Sequence, residues 1–503
     1  MKAFLMFPDR DFEPSRNLPP QEPELAADLE LDTLLAAMAG GDEFLHAMAR
    51  QGIHSGLTSP AEITYRQHVL ADSVTWPGVV RGLYDLAVEG VGAQRQVFGF
   101  LFRDSPDSIL WRSQELMRLY VELLRRLAGV AREHGPGFRS AGFTRFFTML
   151  TDELSDDYFA EMEAHLADLR FRRGTLISAR LGTGGKGTGY VLRRHPPRGG
   201  WRDRLPGHGR SAYTFTVAER DEAGLRKLSE LTSRGVSETA NALAQSCDHI
   251  QGFFAMLRAE LGFYVGCLNL WDKITAKGQP VCYPVPSPLG GDRFAARGLY
   301  DVSLALTIDG KVTGNDVAAD GKQLIMITGA NQGGKSTFLR SMGQAQLMMQ
   351  AGLFVAAESF EASTCSGVFT HYKREEDAAM EKGKLDEELE RMSVITGQIA
   401  PGGLLLCNES FASTNEREGS EIARQIIRAL TEAGIRVGYV THLYDLAEGC
   451  YTQNTGKALF LRAQRLAAGQ RTFRLPEGEP LPTSYGEDLY QQIFGPQHEP
   501  AHG

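Results

Sequence analysis

The chain has few of the features that would assign it to a membrane, a secretory route or a zinc fold. Its six cysteines, Cys247, Cys267, Cys282, Cys365, Cys407 and Cys450, form no Cys-x-x-Cys pair, and no His/Cys spacing suggests zinc. Most lie in apolar segments, as Cys407 does after Leu404-Leu405-Leu406, and read as buried free thiols in a reducing compartment. No stretch approaches the roughly 20 apolar residues that span a bilayer. Met1 to Phe7 hold no sustained apolar run before Pro8, which argues against a secretory leader. No internal repeat and no long heptad run is present. These absences predict a cytoplasmic protein that makes no membrane contact.

Negative charge is in excess, at −9 over 503 residues, which excludes a generic nucleic-acid coat. The excess is uneven. Between Arg170 and Arg210 stand eleven Lys/Arg against one acid, Asp203. One localised contact with a polyanion fits that asymmetry. Apolar residues at 42% and charged residues at 23% are ordinary for a globular protein and exclude wholesale disorder.

Residues 24–170 carry helical spacing, as in Leu116-Met117-Arg118-Leu119-Tyr120-Val121-Glu122-Leu123-Leu124. Residues 171–217 turn to glycine, arginine and β-favouring pieces such as Gly189-Tyr190-Val191-Leu192. Helical periodicity returns over 221–274, and 280–288 read as a linker. From 296 onward short apolar runs alternate with helical segments: 324–328, 353–355, 404–407, 437–440 and 458–461. Such alternation predicts a mostly parallel sheet flanked by helices.

Leu324-Ile325-Met326-Ile327-Thr328 runs into Gly329-Ala330-Asn331-Gln332-Gly333-Gly334-Lys335-Ser336-Thr337, which opens a helix. Strand, glycine loop and helix together make a phosphate-binding loop. The glycines let backbone N–H groups face phosphate oxygens, and the helix start adds a favourable dipole. Lys335 supplies charge for the β- and γ-phosphates and the Ser336 hydroxyl a ligand for Mg²⁺, so the cofactors expected are ATP and Mg²⁺. Gly182-x-Gly184-x-x-Gly187 mimics a dinucleotide fingerprint. It has no following helix and no acid about 20 residues on, and reads as a flexible basic loop.

The run Leu404–Cys407 ends in Asn408-Glu409, at the place where a Walker-B pair holds metal and orients water. Asn408 can accept from a metal-bound water but brings no charge. Glu409 is the candidate general base. Tyr439-Val440-Thr441-His442 places His442 at a strand end, where it can sense the γ-phosphate.

From Asn315 to Gly495 the chain resembles the ATPase domain of the MutS family of DNA mismatch-repair proteins. The matching segments are Asn315-Asp316, Ile327 to Thr337, Val368-Phe369-Thr370-His371, Asn408 to Gly419, Val440 to Leu446, and Ser484-Tyr485-Gly486. The front half resembles that family in pattern, with Ile63-Thr64-Tyr65-Arg66-Gln67-His68 similar to the segment opening its helical core. Ala330 and Gln332 depart from the family's loop. Gly383-Lys384-Leu385-Asp386-Glu387 stands where the family has a Gly-x-Ser-x-Phe signature that touches the γ-phosphate of the other subunit.

The resemblance implies a fold: an α/β P-loop NTPase domain of the ABC-ATPase kind (291–497, then a tail, 498–503) behind a mostly helical core or lever. The lever would comprise 1–170 and 218–290, with 171–217 as a small β-rich, clamp-like insert. It further implies a DNA-associated ATPase acting in repair or recombination, dimeric through the ATPase domain, with ATP binding coupled to DNA engagement. Double-stranded DNA would meet Arg172, Arg173, Arg193, Arg194, Arg198, Arg202 and Arg204 through its phosphates, with Tyr190 and Trp201 able to stack. A DNA-bound form would be nucleoid-associated. The mismatch-reading and connector domains and the dimerising C-terminal helices of the family are not expected in this chain, and Phe159-Ala160-Glu161 reads as a chance match to the family's wedge. Asn408 and Leu385 predict slow hydrolysis. They leave open a second reading, an ATP-binding switch or scaffold without mismatch recognition. A metabolic P-loop kinase is the third, on the glycine loop alone.

Overall fold

The computed structural model describes residues 1–97, 105–172, 174–195, 214, 216–218, 220–374, 383–464 and 471–481. The chain packs as two compact units. One comprises Met1–Ala3, Gly78–Arg139 and Phe143–Leu261, the other Phe4–Pro77, Ser140–Gly142 and Gly262–Gly503.

The first unit is helical. Helix Pro106–His134 starts with Ser105, whose hydroxyl accepts the Ser108 N–H, and with Pro106 where no N–H is required. Leu110, Met117, Tyr120, Leu124, Leu127 and Ala131 form its buried stripe. Gly90 is needed for close packing, since a Cβ there would sit 2.3 Å from the Phe254 ring. Phe159 lies buried in helix Asp156–Asp168.

Strands β1 (Leu176–Leu181) and β2 (Gly187–Arg193) pair as an antiparallel hairpin between helices Asp156–Asp168 and Glu222–Ala276. The false dinucleotide fingerprint is its turn. Gly184 and Gly185 take φ of 70° and 72°, and the Gly182 N–H donates to Lys186 O at 2.8 Å. Helix Glu222–Ala276 is long and apolar enough to cross a membrane, contrary to the sequence expectation. Most of its apolar window (78%) is buried inside the protein.

The second unit holds strands β3 (Val285–Ser287), β4 (Phe294–Leu299), β5 (Asn315–Ala318), β6 (Leu324–Thr328), β7 (Ser359–Ser363), β8 (Val368–Tyr372), β9 (Leu404–Asn408), β10 (Arg436–Val440) and β11 (Ala458–Arg462). The order β11-β6-β10-β9-β8 makes a five-stranded, all-parallel sheet. Leu324–Ile327 of β6 and Leu404–Cys407 of β9 are continuous buried apolar runs, as strands covered on both faces are. The remaining four strands form a mixed sheet in the order β3-β7-β4-β5.

Two expectations change. Leu353-Phe354-Val355 is not a strand of the main sheet. It is a buried segment whose Val355 exchanges two backbone hydrogen bonds with Cys282. Val368–Tyr372 takes the edge position instead. The division of the chain also differs from the expected one, because residues 4–77 pack in the unit that holds the parallel sheet. Arg66, wholly buried, donates to Met6 O (2.9 Å), Ser55 Oγ (3.0 Å) and Ala351 O (3.2 Å). Gly352, at φ 82°, makes room, since a Cβ would lie 2.4 Å from Arg66 Cβ.

Candidate nucleotide-binding site

Strand β6 delivers the chain to Gly329, whose φ of 108° favours glycine. A Cβ there would meet the Ala463 N–H at 2.9 Å. Gln332 (φ 59°) and Gly334 (φ 90°) complete the turn into helix Lys335–Gln350. Ala330 is buried within the loop, Asn331 and Gln332 are exposed, and Thr337 is half-buried. Lys335 is 5% exposed, and its Nζ donates to Gly329 O (2.8 Å), Ala330 O (3.0 Å) and Asn331 Oδ1 (3.4 Å). Burial pushes its pKa down and the nearby Glu409 pulls it up. The ammonium is thus a partly desolvated cation at the mouth of the loop, where a phosphate interacts more strongly than in water.

Parallel pairing of β9 with β10, and of β10 with β6, brings three distant segments to one edge. Ser336 Oγ donates to Asn408 Oδ1 at 2.9 Å. His442 Nδ1 stands 3.7 Å from Glu409 Oε1. His442, with Lys335 further off, holds the Glu409 carboxyl below the usual carboxylate range against the opposing pull of burial. Glu409 is therefore ionised at neutral pH, as a base must be. The five side chains selected from sequence, Lys335, Ser336, Asn408, Glu409 and His442, meet here. Ser336 and Asn408 are the pair able to hold a magnesium ion. No group of three or more His, Cys, Asp or Glu residues able to hold a metal by themselves occurs among the described residues. Magnesium would need phosphate oxygens to complete its shell.

Beside the loop lies a cavity of about 340 Å³, bounded among others by Val312, Thr313, Thr337, Phe338, Ser341 and Phe473. Phe473 escaped the sequence reading. The only signal was an isolated aromatic in an arginine-rich stretch. It is 48% exposed at φ 56°, a conformation that non-glycine residues adopt at a cost. Buried Asn315 holds it there. Asn315 Nδ2 donates to Phe473 O (3.1 Å), and the Leu475 N–H donates to Asn315 Oδ1 (2.8 Å). Arg471 Nη1 donates to Gln332 Oε1 at 2.5 Å, joining this strap to the phosphate loop.

Leu385 lies one residue inside helix Lys384–Gln398 and packs on the core rather than facing solvent. Asp386 and Glu387 fall in the first turn of that helix, where they favour its dipole. Ser484-Tyr485-Gly486 lie outside the described residues, as do Arg173, Arg198, Trp201, Arg202 and Arg204. Of the remaining arginines chosen for DNA, Arg172 is exposed, Arg193 donates to Ser178 Oγ (2.9 Å) and Arg194 pairs with Asp168 at 2.5 Å. Tyr190 is half-buried, with the Arg234 guanidinium 5.8 Å from its ring centre.

Two family models match the chain, the MutS2 N-terminal domain over residues 58–277 and MutS domain V over residues 325–496. The DNA mismatch repair protein MutS of Chloroflexus aurantiacus (strain ATCC 29366 / DSM 635 / J-10-fl) is 27% identical over 256 residues, covering 48% of this chain and 26% of that protein. The endonuclease MutS2 of Lacticaseibacillus casei (strain BL23) is 32% identical over 240 residues, covering 47% of this chain and 29% of that protein. The MutS of Roseiflexus sp. (strain RS-1) is 23% identical over 303 residues, 56% of this chain and 28% of its own. The chain thus spans under a third of the length of these relatives. With both halves matched in order, and the phosphate loop inside the second match, the chain belongs to the MutS family.

Proposed function

We propose that this chain is a DNA-associated MutS-type ATPase. Convergence on one sheet edge of Lys335, the Ser336–Asn408 pair and the Glu409–His442 pair carries the reading. The backbone of Gly329 to Thr337 cradles the phosphates, Lys335 neutralises them, and Ser336 with Asn408 holds magnesium, which when bound draws charge from the γ-phosphate. Glu409, ionised, accepts a proton from the attacking water, and His442 orients it. The base enters the cavity against Phe473. Slow hydrolysis follows from the neutral Asn408. Leu385, packed on the core, offers no hydrogen bond to a γ-phosphate, in this subunit or in a partner's site, and a homodimer through the ATPase unit is part of the proposal. Arg193 and Arg194 at the end of the β1–β2 hairpin, and Arg172 in the turn before it, face DNA phosphates in this reading, which fits the names of the relatives.

Phosphate release and ATP binding measured side by side test this. Glu409→Gln should lower turnover by ~10²-fold or more while ATP still binds. Lys335→Ala should weaken ATP binding itself. An unchanged rate in Glu409→Gln would leave the ATP-dependent switch, favoured by Asn408, as the surviving reading.

A further inference from the structure

The loop after β9 is unusual in its backbone. Glu409 and Phe411 both adopt left-handed φ, 55° and 61°, although neither is glycine. Such a loop persists only where its surroundings dictate it. Here the dictating residue is Ser410, fully buried between two strands. Its carbonyl accepts the Tyr439 hydroxyl of β10 at 2.8 Å. Its own hydroxyl lies 2.7 Å from Nδ1 of His371 on β8 and 2.7 Å from the carbonyl of the same residue. Phe411 stacks on the His371 ring, centroids 5.4 Å apart at 23°.

His371 is also fully buried, and its second nitrogen, Nε2, lies 3.0 Å from the carbonyl of Glu388 in helix Lys384–Gln398. A carbonyl only accepts, so Nε2 carries the ring proton and Nδ1 takes the Ser410 proton. Burial holds the imidazole pKa at about 4, so this neutral form persists at physiological pH. The His371 carbonyl competes for the same Ser410 proton. One hydroxyl thus serves two acceptors, and its preference is sensitive to where β8 and the helix lie.

The helix reaches the loop a second way. Burial raises the Glu388 pKa, while the Ser413 side chain and the Phe411 backbone of the loop, both facing its carboxyl, lower it. A polar chain through fully buried atoms is costly unless satisfied, and it links particular elements to each other.

We propose that His371 and Ser410 are positioning residues that tie helix Lys384–Gln398 to the loop bearing Glu409, so that movement of this helix sets the orientation of Glu409. The proposal rests on Glu409 acting as the base. A shift of the helix carries Glu388 O with it, His371 must follow or lose its bond, and Ser410 transmits the change to its neighbour in sequence. Neither residue touches the nucleotide.

The test uses the full chain as wild type, Ser410→Ala, His371→Ala and the double variant. Three quantities are read: the ATP dissociation constant by calorimetry, steady-state phosphate release, and amide hydrogen exchange over residues 384–398 and 405–415. Ser410→Ala should lower kcat about tenfold or more with ATP affinity within about threefold of wild type, the pattern of a lost transition-state arrangement. The double variant should be no slower than the slower single, since both cut one chain. Exchange should rise in both segments of Ser410→Ala. Wild-type turnover in Ser410→Ala, an affinity loss as large as the kcat loss, or faster exchange in 405–415 with 384–398 unchanged would each overturn the proposal. Ser410→Ala removes a single oxygen and carries the test alone if His371→Ala does not fold. A wild type that releases no phosphate refutes the ATPase reading, and the exchange result then decides the network by itself.

Discussion

Removing the Phe473 ring separates base binding from phosphate binding. The side chain is 48% exposed, so of the roughly 200 Å² an aromatic residue can bury, about 100 Å² remains for a stacked base. At ~25 cal/mol per Å² that area is worth about 2.5 kcal/mol. Alanine substitutions at base-stacking aromatics cost ~1–3 kcal/mol, which brackets the same figure. Phe473→Ala should then weaken Mg-ATP binding by about 5- to 150-fold. The backbone should hold, because Asn315 bonds the main chain at 473 and 475, and alanine pays much the same left-handed penalty as phenylalanine. Titration calorimetry with Mg-ATP and, separately, with magnesium tripolyphosphate gives the readout. ATP should lose affinity while tripolyphosphate, which has no base, should not. Equal losses would mean that the ring supports the phosphate loop instead. No loss for ATP would place the base elsewhere.

Asn408→Asp adds a charge at the atom that receives the Ser336 hydroxyl. A unit charge about 4 Å from another at an effective dielectric near 20 is worth ~4 kcal/mol before desolvation, so magnesium-dependent ATP binding should tighten by about tenfold or more. A magnesium titration showing no gain would remove Asn408 from the metal site. Burial holds buried His54, 3.5 Å from Glu22, at a pKa of about 4. The unfolded chain takes up that proton near pH 6.5 and the folded chain only near 4, so stability is lost as pH falls through this window. Between pH 7 and 5 the loss is about 2 kcal/mol. In urea unfolding at both pH values, His54→Gln should escape that share, and parallel losses in the two proteins would refute it. Replacing Arg172, Arg193 and Arg194 by alanine should flatten the salt dependence of DNA binding by about 0.9 for each DNA phosphate that is no longer neutralised. An unchanged slope would exclude these three arginines as DNA-binding groups.

Much of the nucleotide site was legible without coordinates, because its parts are local. A strand, a glycine turn and a helix start are contiguous, so Gly329 to Thr337 announce themselves. Strand ends were legible too, which put Asn408, Glu409 and His442 at candidate positions. That Ser336 bonds Asn408 and that His442 faces Glu409 depended on strand order, with β10 lying between β6 and β9. Sequence spacing says nothing about that order. Phe473 was hidden for a similar reason, since its meaning comes from Asn315, which lies 158 residues earlier.

The sequence by itself set out the candidate groups: a phosphate-loop motif, a neutral amide where a carboxylate is usual, a candidate base, and a basic, β-rich insert. Local backbone geometry and residue type suffice for that. Tertiary structure alone decided which groups meet. It packed residues 4–77 into the unit of the parallel sheet, with buried Arg66 bonded to Ala351 O, brought a strained phenylalanine to the loop, and threaded His371 between a helix and Ser410. Those pairings join residues far apart in the chain, and their gain appears only when burial removes water and leaves each polar group one partner to find.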